Sequence, residues 1–161
     1  MNVLYEDNHI IIVNKASSEI VQGDKTGDMP LSEMVKAYIK EKYNKPGAVF
    51  LGVVHRLDRP VSGVVVFART SKALERLNAM FRDGDVKKVY WALVCSEPAE
   101  KEKLLEGMLW RNEKQNKSYM CRPGAVRKDA RLARLIYKYI GRTDRYFLLE
   151  IELLTGRHHQ I

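Results

Sequence analysis

The chain has 161 residues, of which 45% are hydrophobic and 9% aromatic, a composition typical of a globular protein with enough residues for a core. No apolar run approaches the roughly 20 residues that span a membrane, the N-terminus lacks a signal-peptide pattern, and two cysteines cannot build a disulfide framework. These features argue against membrane-spanning and disulfide-rich secreted proteins and favour a cytoplasmic one, whose net charge of +8 suits a polyanionic partner.

The N-terminal part of the chain predicts two strands, a loop and a helix. Apolar residues on both sides of the polar turn Glu6-Asp7-Asn8 predict two short strands within residues 2–14. A stretch rich in Gly and Asp predicts a loop over residues 21–29. Apolar residues at helical spacing from Leu31 to Ile39 predict a helix that ends near Asn44.

Two further strand-like segments, residues 50–54 and 63–68, bracket a polar loop with the sequence HRLDRPVSG, residues 55–63. The loop carries one carboxylate, Asp58, which is flanked by Arg56 and Arg59. A carboxyl group crowded by guanidinium groups is held ionised, which suits a nucleophile or a base better than a general acid. A surface loop with a local ion pair is the alternative explanation, because structural ion pairs also perturb acids.

After this loop the sequence predicts one helix and then mostly strands. Thr70-Ser71 is expected to cap a helix whose apolar face is Leu74, Leu77 and Phe81, and Asp83-Gly84-Asp85 ends it. Strands are predicted over residues 86–95 and 146–154, with a rougher alternation over residues 131–137 and Asp144 in a turn. The charged residues 97–113 are expected to be irregular.

Strands therefore outnumber helices, and most connections are too short for βαβ crossovers. The sequence predicts an α+β fold, with a mainly antiparallel mixed sheet and two packed helices. We find no internal repeat and no linker, so residues 1–161 are expected to form a single domain.

The excess positive charge is concentrated in one segment of the chain. Residues 101–145 hold 13 Lys and Arg against 5 Asp and Glu, whereas the remainder holds 15 of each kind. Such a segment would attract a polyanion, although a basic face that only aids solubility is an equal alternative. Its aromatic residues offer stacking surfaces for bases, while at least half of them are expected in the core; they are Trp110, Tyr119, Tyr137 and Tyr139.

The loop HRLDRPVSG resembles the catalytic motif of the RluA-type RNA pseudouridine synthases, HRLD-x-x-TSG. Three other segments resemble this family in the same order along the chain: VLYEDNHIIIVNK (3–15), KKVYWALV (87–94) and LLTGRHHQI (153–161). Some positions depart from the family pattern, since Ala16-Ser17-Ser18 follows Lys15 in place of P-x-G, Val61 replaces a Thr, and His158 replaces a Thr. The chain ends at Ile161 inside the last motif, so we expect the C-terminal part of the catalytic domain to be missing.

The resemblance implies an isomerase that converts uridine to pseudouridine in ribosomal or transfer RNA, on the α+β fold of this family and without a cofactor. It implies Asp58 as the catalytic carboxylate, Arg157 as its ion-pair partner and Tyr90 as the residue that packs on the target base. An ordinary strand-end Arg and an ordinary sheet Tyr are the alternatives at the last two positions. Further substrate-binding residues are expected at Arg56, His55, Arg59 and Gln160.

RNA is the expected partner, with no membrane, no metal ion and a monomeric chain. His55, His158 and His159 lack the spacing of a zinc helix, so we expect structural rings that are hydrogen-bonded to the backbone. A non-catalytic RNA-binding or assembly protein on the same fold is the main alternative. A glycoside hydrolase is less favoured, because that chemistry usually needs two opposed carboxylates and only Asp58 stands in such a motif.

Overall fold

The computed structural model describes residues 1–122, 124 and 127–161. The chain divides into two compact units, Met1–Asp83 and Gly84–Ile161. Within the described residues there are two helices and nine strands, and every strand pairing is antiparallel. The predicted α+β class with mainly antiparallel pairing and two helices is therefore confirmed. The strands form two sheets rather than the one mixed sheet that was expected, and the single-domain assignment stays a prediction.

The first unit contains one four-stranded sheet and both helices. The strands follow the order β1-β2-β4-β3 across the sheet. Their bounds are β1 Asn2–Glu6, β2 Ile10–Lys15, β3 Gly52–Val53 and β4 Gly63–Ala68, and the helices are α1 Leu31–Lys42 and α2 Ser71–Asp83.

The N-terminal strand pair forms around the predicted polar turn. The Asp7 carboxylate accepts hydrogen bonds from the His9 and Ile10 N–H groups, at 2.7 and 2.8 Å, as Asp commonly does in tight turns. Alternate residues of β2 then point into the core, because side chains of a strand alternate between its two faces. Ile11, Val13 and Lys15 are all fully buried on this face.

Helix α2 begins where its capping residue was predicted. The Thr70 hydroxyl accepts a hydrogen bond from the Ala73 N–H at 3.1 Å, which satisfies one of the open donors at a helix N-terminus. The helix packs closely on β3, since a Cβ atom at Gly52 would lie 2.8 Å from the Leu74 side chain. Strand β3 itself is shorter than the predicted residues 50–54.

The second unit contains a five-stranded sheet with the strand order β5-β9-β8-β6-β7. Its core consists of Leu135, Tyr137, Leu149 and Ile151, on one face of β8 and β9. The strands are β5 Lys88–Val94, β6 Glu102–Asn112, β7 Lys117–Met120, β8 Arg131–Arg142 and β9 Phe147–Leu153.

The expectation that residues 97–113 are irregular is wrong, because β6 occupies most of that range and pairs with β8 along eight register positions. The charges that suggested irregular structure are matched across the strands. Glu106 lies 2.8 Å from Arg134, and Glu102 lies 3.7 Å from Lys138. Opposite charges at facing positions stabilise a strand pair, and this pairing is invisible in either segment alone.

None of the helices in the described part of the chain is long and apolar enough to cross a membrane.

Candidate functional site

Residues 54–62, which carry most of the HRLDRPVSG motif, join β3 to β4, two neighbouring antiparallel strands. Leu57 is buried, whereas Asp58 is exposed. The Asp58 carbonyl accepts a hydrogen bond from the Val61 N–H at 3.0 Å and so closes a tight turn. One side chain thus anchors the loop in the core, while the next presents a carboxylate at the surface.

A buried lysine holds the backbone of this turn. Lys15 is fully buried, and its ammonium group donates hydrogen bonds to the carbonyl oxygens of Asp58, Arg59 and Val61, at 3.2, 3.1 and 2.5 Å. The Ala16 carbonyl lies 3.1 Å from the same nitrogen, so these four oxygens share its three N–H donors. A single cation therefore fixes three backbone positions of the loop that carries Asp58.

Two opposing effects act on this ammonium group. Burial lowers the pKa of Lys15 below its ordinary value, because a low-dielectric environment disfavours the charged form, while the carboxylates of Glu19 and Asp58 act in the opposite direction. Sequence reasoning did not identify Lys15 as part of the site. A signal was present, since a lysine that continues the buried alternation of Ile11 and Val13 needs polar partners in the core.

His55 is held by the strand that follows the loop. Its Nε2 atom accepts a hydrogen bond from the Val66 N–H at 3.1 Å, so this nitrogen is the unprotonated one in that geometry. The ring stacks on Phe81 of α2, with 4.9 Å between ring centroids. This is the backbone-bonded arrangement expected of a structural histidine, and substrate binding by His55 stays a prediction.

Arg59 binds the predicted loop of residues 21–29. Its guanidinium group lies 2.8 Å from Asp28 and 3.7 Å from Asp24, and it donates a hydrogen bond to the Thr26 hydroxyl at 2.9 Å. The hydrogen bond to Asp28 is the main cause of a raised Arg59 pKa. These acids lie more than thirty positions away in the sequence, and they compete with the predicted role of Arg59 in RNA binding.

Arg56 is exposed.

Replacing Arg59 with alanine is expected to loosen residues 21–29, because this side chain bonds three members of that loop. Ion pairs between exposed groups contribute up to about 1 kcal/mol, so amide hydrogen exchange in the loop should rise by about two- to fivefold. Exchange measured by mass spectrometry checks this expectation. Arg82→Ala is the matched control, since Arg82 pairs only with its neighbour Asp83 among the described ion pairs. Unchanged exchange in the Arg59 variant would contradict it.

In the second unit, Tyr90 lies in the middle of β5 and faces Ile151 across the sheet. It is half-buried and packs against the core cluster of this unit. The position is one that an ordinary sheet tyrosine occupies, and the residue is not fully buried there. The structure therefore accommodates both explanations for Tyr90, and its contact with the target base stays a prediction.

The last eight residues after β9 are tied to β8 by side-chain hydrogen bonds. Thr155 accepts a bond from the Arg134 N–H at 2.8 Å, and the Gln160 amide donates to the Arg134 carbonyl at 3.0 Å. Gln160 Oε1 also accepts bonds from the Arg157 N–H and the Thr155 hydroxyl, both at 2.9 Å. The Gln160 side chain thus holds this segment against β8 through hydrogen bonds, and substrate binding by the same side chain stays a prediction.

Arg157 is exposed, and its Nε donates a hydrogen bond to the Leu132 carbonyl at 2.8 Å. Because a guanidinium group has five N–H donors, one bond through Nε orients the group and leaves capacity for a carboxylate. Asp58 belongs to the first unit, whereas Tyr90 and Arg157 belong to the second. Their predicted catalytic roles remain predictions.

His158 and His159 stack on each other with 3.7 Å between ring centroids, and His158 Nδ1 lies 3.0 Å from the Ser118 hydroxyl. Over residues 1–122, 124 and 127–161, no group of three or more His, Cys, Asp or Glu side chains is arranged to hold a metal ion.

Comparison with known proteins places this site in a family context. The chain is 33% identical over 159 residues to the ribosomal large subunit pseudouridine synthase C of Vibrio parahaemolyticus and 32% identical over 159 residues to the protein of that name from Escherichia coli. Each alignment covers 99% of this chain and 47% of the relative. The chain therefore spans about half the length of the curated relatives it matches.

Solved structures support the fold. The human RNA pseudouridylate synthase domain containing 4 superimposes with a TM-score of 0.81 at 22% identity, and domain containing 1 with 0.76 at 19%. Both comparisons cover 99% of this chain and 61% of the human chain. The family model of RNA pseudouridylate synthases matches residues 9–161. On this match over nearly its whole length, the chain belongs to the RNA pseudouridylate synthase family.

Proposed function

We propose that the full-length protein isomerises uridine to pseudouridine in ribosomal RNA, with Asp58 as the catalytic carboxylate. The observation that carries the proposal is the presentation of Asp58 on an exposed turn whose backbone is fixed by the buried Lys15 ammonium. Ribosomal RNA is favoured over transfer RNA because the matched relatives are named for the ribosomal large subunit. We further infer that residues 1–161 act within one catalytic domain of a monomeric, cytoplasmic protein.

The proposed reaction breaks the bond between N1 of uracil and C1′ of the ribose, turns the base and forms a new bond from C5 to C1′. The proton on C5 leaves, and N1 gains a proton, so no atom of the RNA is lost overall. Asp58 either attacks the substrate covalently or removes a proton from the ribose, and both routes need an ionised carboxylate. A stacked uridine is out of reach of any side chain, so the base must first leave the helix.

In this proposal Arg157 orients the Asp58 carboxylate through a two-point contact, and Tyr90 packs on the target base. A planar guanidinium group matches both oxygens of a carboxylate, which a lysine ammonium cannot do. The phenol of Tyr90 offers a stacking face and a hydroxyl that can relay the C5 proton. Arg56 is proposed to contact RNA phosphate or to fill the space that the extruded base leaves, with His55, Arg59 and Gln160 as further substrate contacts.

Arg157→Lys is expected to reduce turnover by about 10²-fold, because catalytic groups displaced by about 1 Å lose rate of this size. RNA affinity should change little, since binding rests on many phosphate contacts. Single-turnover rates and RNA dissociation constants of the full-length protein separate these two effects. Near-normal turnover in this variant would mean that the pairing of Asp58 with Arg157 is wrong. Arg145→Lys is the matched control at an exposed turn.

Tritium release tests the proposed function itself. RNA labelled at C5 of uridine is prepared from cells that lack this gene, so that the target site is unmodified, and it is incubated with the full-length protein. Release of tritium, together with chromatographic detection of pseudouridine nucleoside, is the expected result. RNA binding without any release would refute the enzyme and favour the non-catalytic RNA-binding alternative.

A further inference from the structure

Strands β6 and β7 form a hairpin that carries a pair of aromatic rings at facing positions. Trp110 and Tyr119 are register partners, and their rings stack with 5.3 Å between centroids and 26° between planes. The Tyr119 hydroxyl donates a hydrogen bond to Gln115 in the connecting turn, at 2.7 Å. Two contacts of different kinds therefore hold the Tyr119 ring in place before any ligand arrives.

A guanidinium group lies against the same aromatic pair. The central guanidinium carbon of Arg127 is 3.7 Å from the centroid of the Trp110 ring, a cation–π contact. Two hydrogen bonds to Asp129, at 3.0 and 2.9 Å, fix the plane of this guanidinium group. The indole, the phenol and the guanidinium group thus form one preorganised cluster.

The described residues around the cluster are strongly basic. Residues 111–122 and 127–131 carry seven Lys and Arg but only two Asp and Glu. Among the ion pairs between described residues, only that of Arg127 with Asp129 involves this set. The seven basic residues are all exposed: Arg111, Lys114, Lys117, Arg122, Arg127, Lys128 and Arg131.

The distribution of charge along β6 and β8 argues against a face that serves solubility alone. Near one end of β6 the basic side chains of β8 are matched, by Glu102 and Glu106. At the hairpin end the cations lie beside exposed apolar surface instead, since Met120 is 67% exposed and Tyr119 is 38% exposed. Solvent alone would not favour apolar groups there, whereas a ligand with both charged and planar parts would.

We propose that this surface, which we name the basic hairpin (residues 111–122 with 127–131), binds a single-stranded segment of RNA. The exposed face of Tyr119 stacks on a base, and the surrounding lysine and arginine side chains contact phosphates, the combination used by single-strand binding proteins. Duplex RNA is disfavoured because its bases are stacked and closed to an aromatic side chain. The proposal rests on the proposed function, in which RNA is the substrate, and it assigns a contact outside the Asp58 loop.

The test measures binding of a short fluorescein-labelled single-stranded RNA by the full-length protein. Tyr119→Ala should weaken binding by about tenfold, the loss of one stacked base, and Tyr119→Phe should bind like the wild type. In the double variant Lys114→Gln/Lys117→Gln, the logarithm of the RNA association constant should fall less steeply with the logarithm of the salt concentration, by about 1.4 in slope. The matched controls are Tyr146→Ala and Lys40→Gln/Lys45→Gln, which replace exposed residues that are not part of the hairpin, and both should bind like the wild type.

A fluorescence measurement reports on the cluster directly. Residues 1–161 contain two tryptophans, so a Trp91→Phe background leaves Trp110 as the only indole among these residues. Single-stranded RNA should change Trp110 emission. The Tyr119→Ala substitution should raise the RNA concentration needed for half of that change about tenfold. Thermal melting of each variant identifies any loss that comes from unfolding, and Tyr119→Phe retains the ring if the alanine variant is unstable.

The outcomes separate this proposal from the enzymatic one. The basic hairpin is not an RNA site if the hairpin variants bind RNA with the affinity and salt dependence of the wild type. The same follows if RNA does not change the Trp110 emission, even if tritium release occurs. Weakened binding in those variants with no tritium release by the wild type would support the hairpin and refute the enzyme. Failure of the wild type to bind single-stranded RNA would overturn the hairpin proposal as well.

Discussion

We expect Asp58→Ala to abolish tritium release and to lower turnover by at least about 10³-fold. Losses of this size follow the removal of a catalytic nucleophile or base in other enzymes. The reason is chemical, because both proposed routes require an ionised carboxylate at this position, whether it attacks the substrate or abstracts a proton. The affinity for RNA should stay within about twofold of the wild type, since phosphate contacts elsewhere dominate it. Single-turnover kinetics on C5-labelled RNA and an independent binding measurement check both parts.

Two companion variants sharpen this test. Asp58→Asn keeps the shape of the side chain and removes its charge, so it should be as inactive as the alanine variant. Asp144→Ala removes an exposed acid from the turn between β8 and β9 and should leave turnover unchanged. If Asp58→Ala retains even a tenth of the wild-type rate, Asp58 is not the catalyst.

Lys15→Met is expected to have the second-largest effect, because the methionine preserves most of the aliphatic stem and removes the donor that fixes the loop. The carbonyl oxygens of Asp58, Arg59 and Val61 lose a shared partner, which costs about 1 to 3 kcal/mol where such groups are left unsatisfied. Relief of the buried charge offsets part of that cost, since burial lowers the Lys15 pKa. We therefore expect the free energy of unfolding to fall by about 2 kcal/mol.

The larger consequence of Lys15→Met should be kinetic. A loop free to shift by about 1 Å misplaces the carboxylate and lowers turnover by about 10²-fold, while RNA affinity changes little. Urea denaturation, turnover and RNA binding measured on one preparation distinguish this positioning role from simple unfolding. Lys40→Met, at an exposed site on α1, controls for the chemistry of the substitution. Turnover within about twofold of the wild type would show that the Lys15 bonds do not position Asp58.

Local patterns in the sequence predicted most of the secondary structure. Apolar residues on both sides of the polar turn Glu6-Asp7-Asn8 identified the first two strands because a short polar turn joins neighbouring antiparallel strands, and Thr70 marked the start of α2 because a hydroxyl satisfies the open helix donors. Strand β4 has the predicted bounds of residues 63–68. The motif around Asp58 likewise predicted an acid in a loop between two strands, and the loop lies between β3 and β4.

What sequence reasoning missed depends on partners that are distant along the chain. The charged residues of β6 predicted irregular structure, but in the fold Lys138 and Arg134 of β8 lie at facing positions and pair with the acids of β6. Lys15 bonds carbonyl oxygens 43 to 46 residues away.

The sequence by itself thus determined the family motif, the position of Asp58 and the periodic elements, because each is encoded in neighbouring residues. Tertiary structure decided which charges are paired and which backbone groups the buried Lys15 holds. Hydrogen bonds and ion pairs act over a few ångströms in space whatever the separation along the chain, so only the folded arrangement selects their partners.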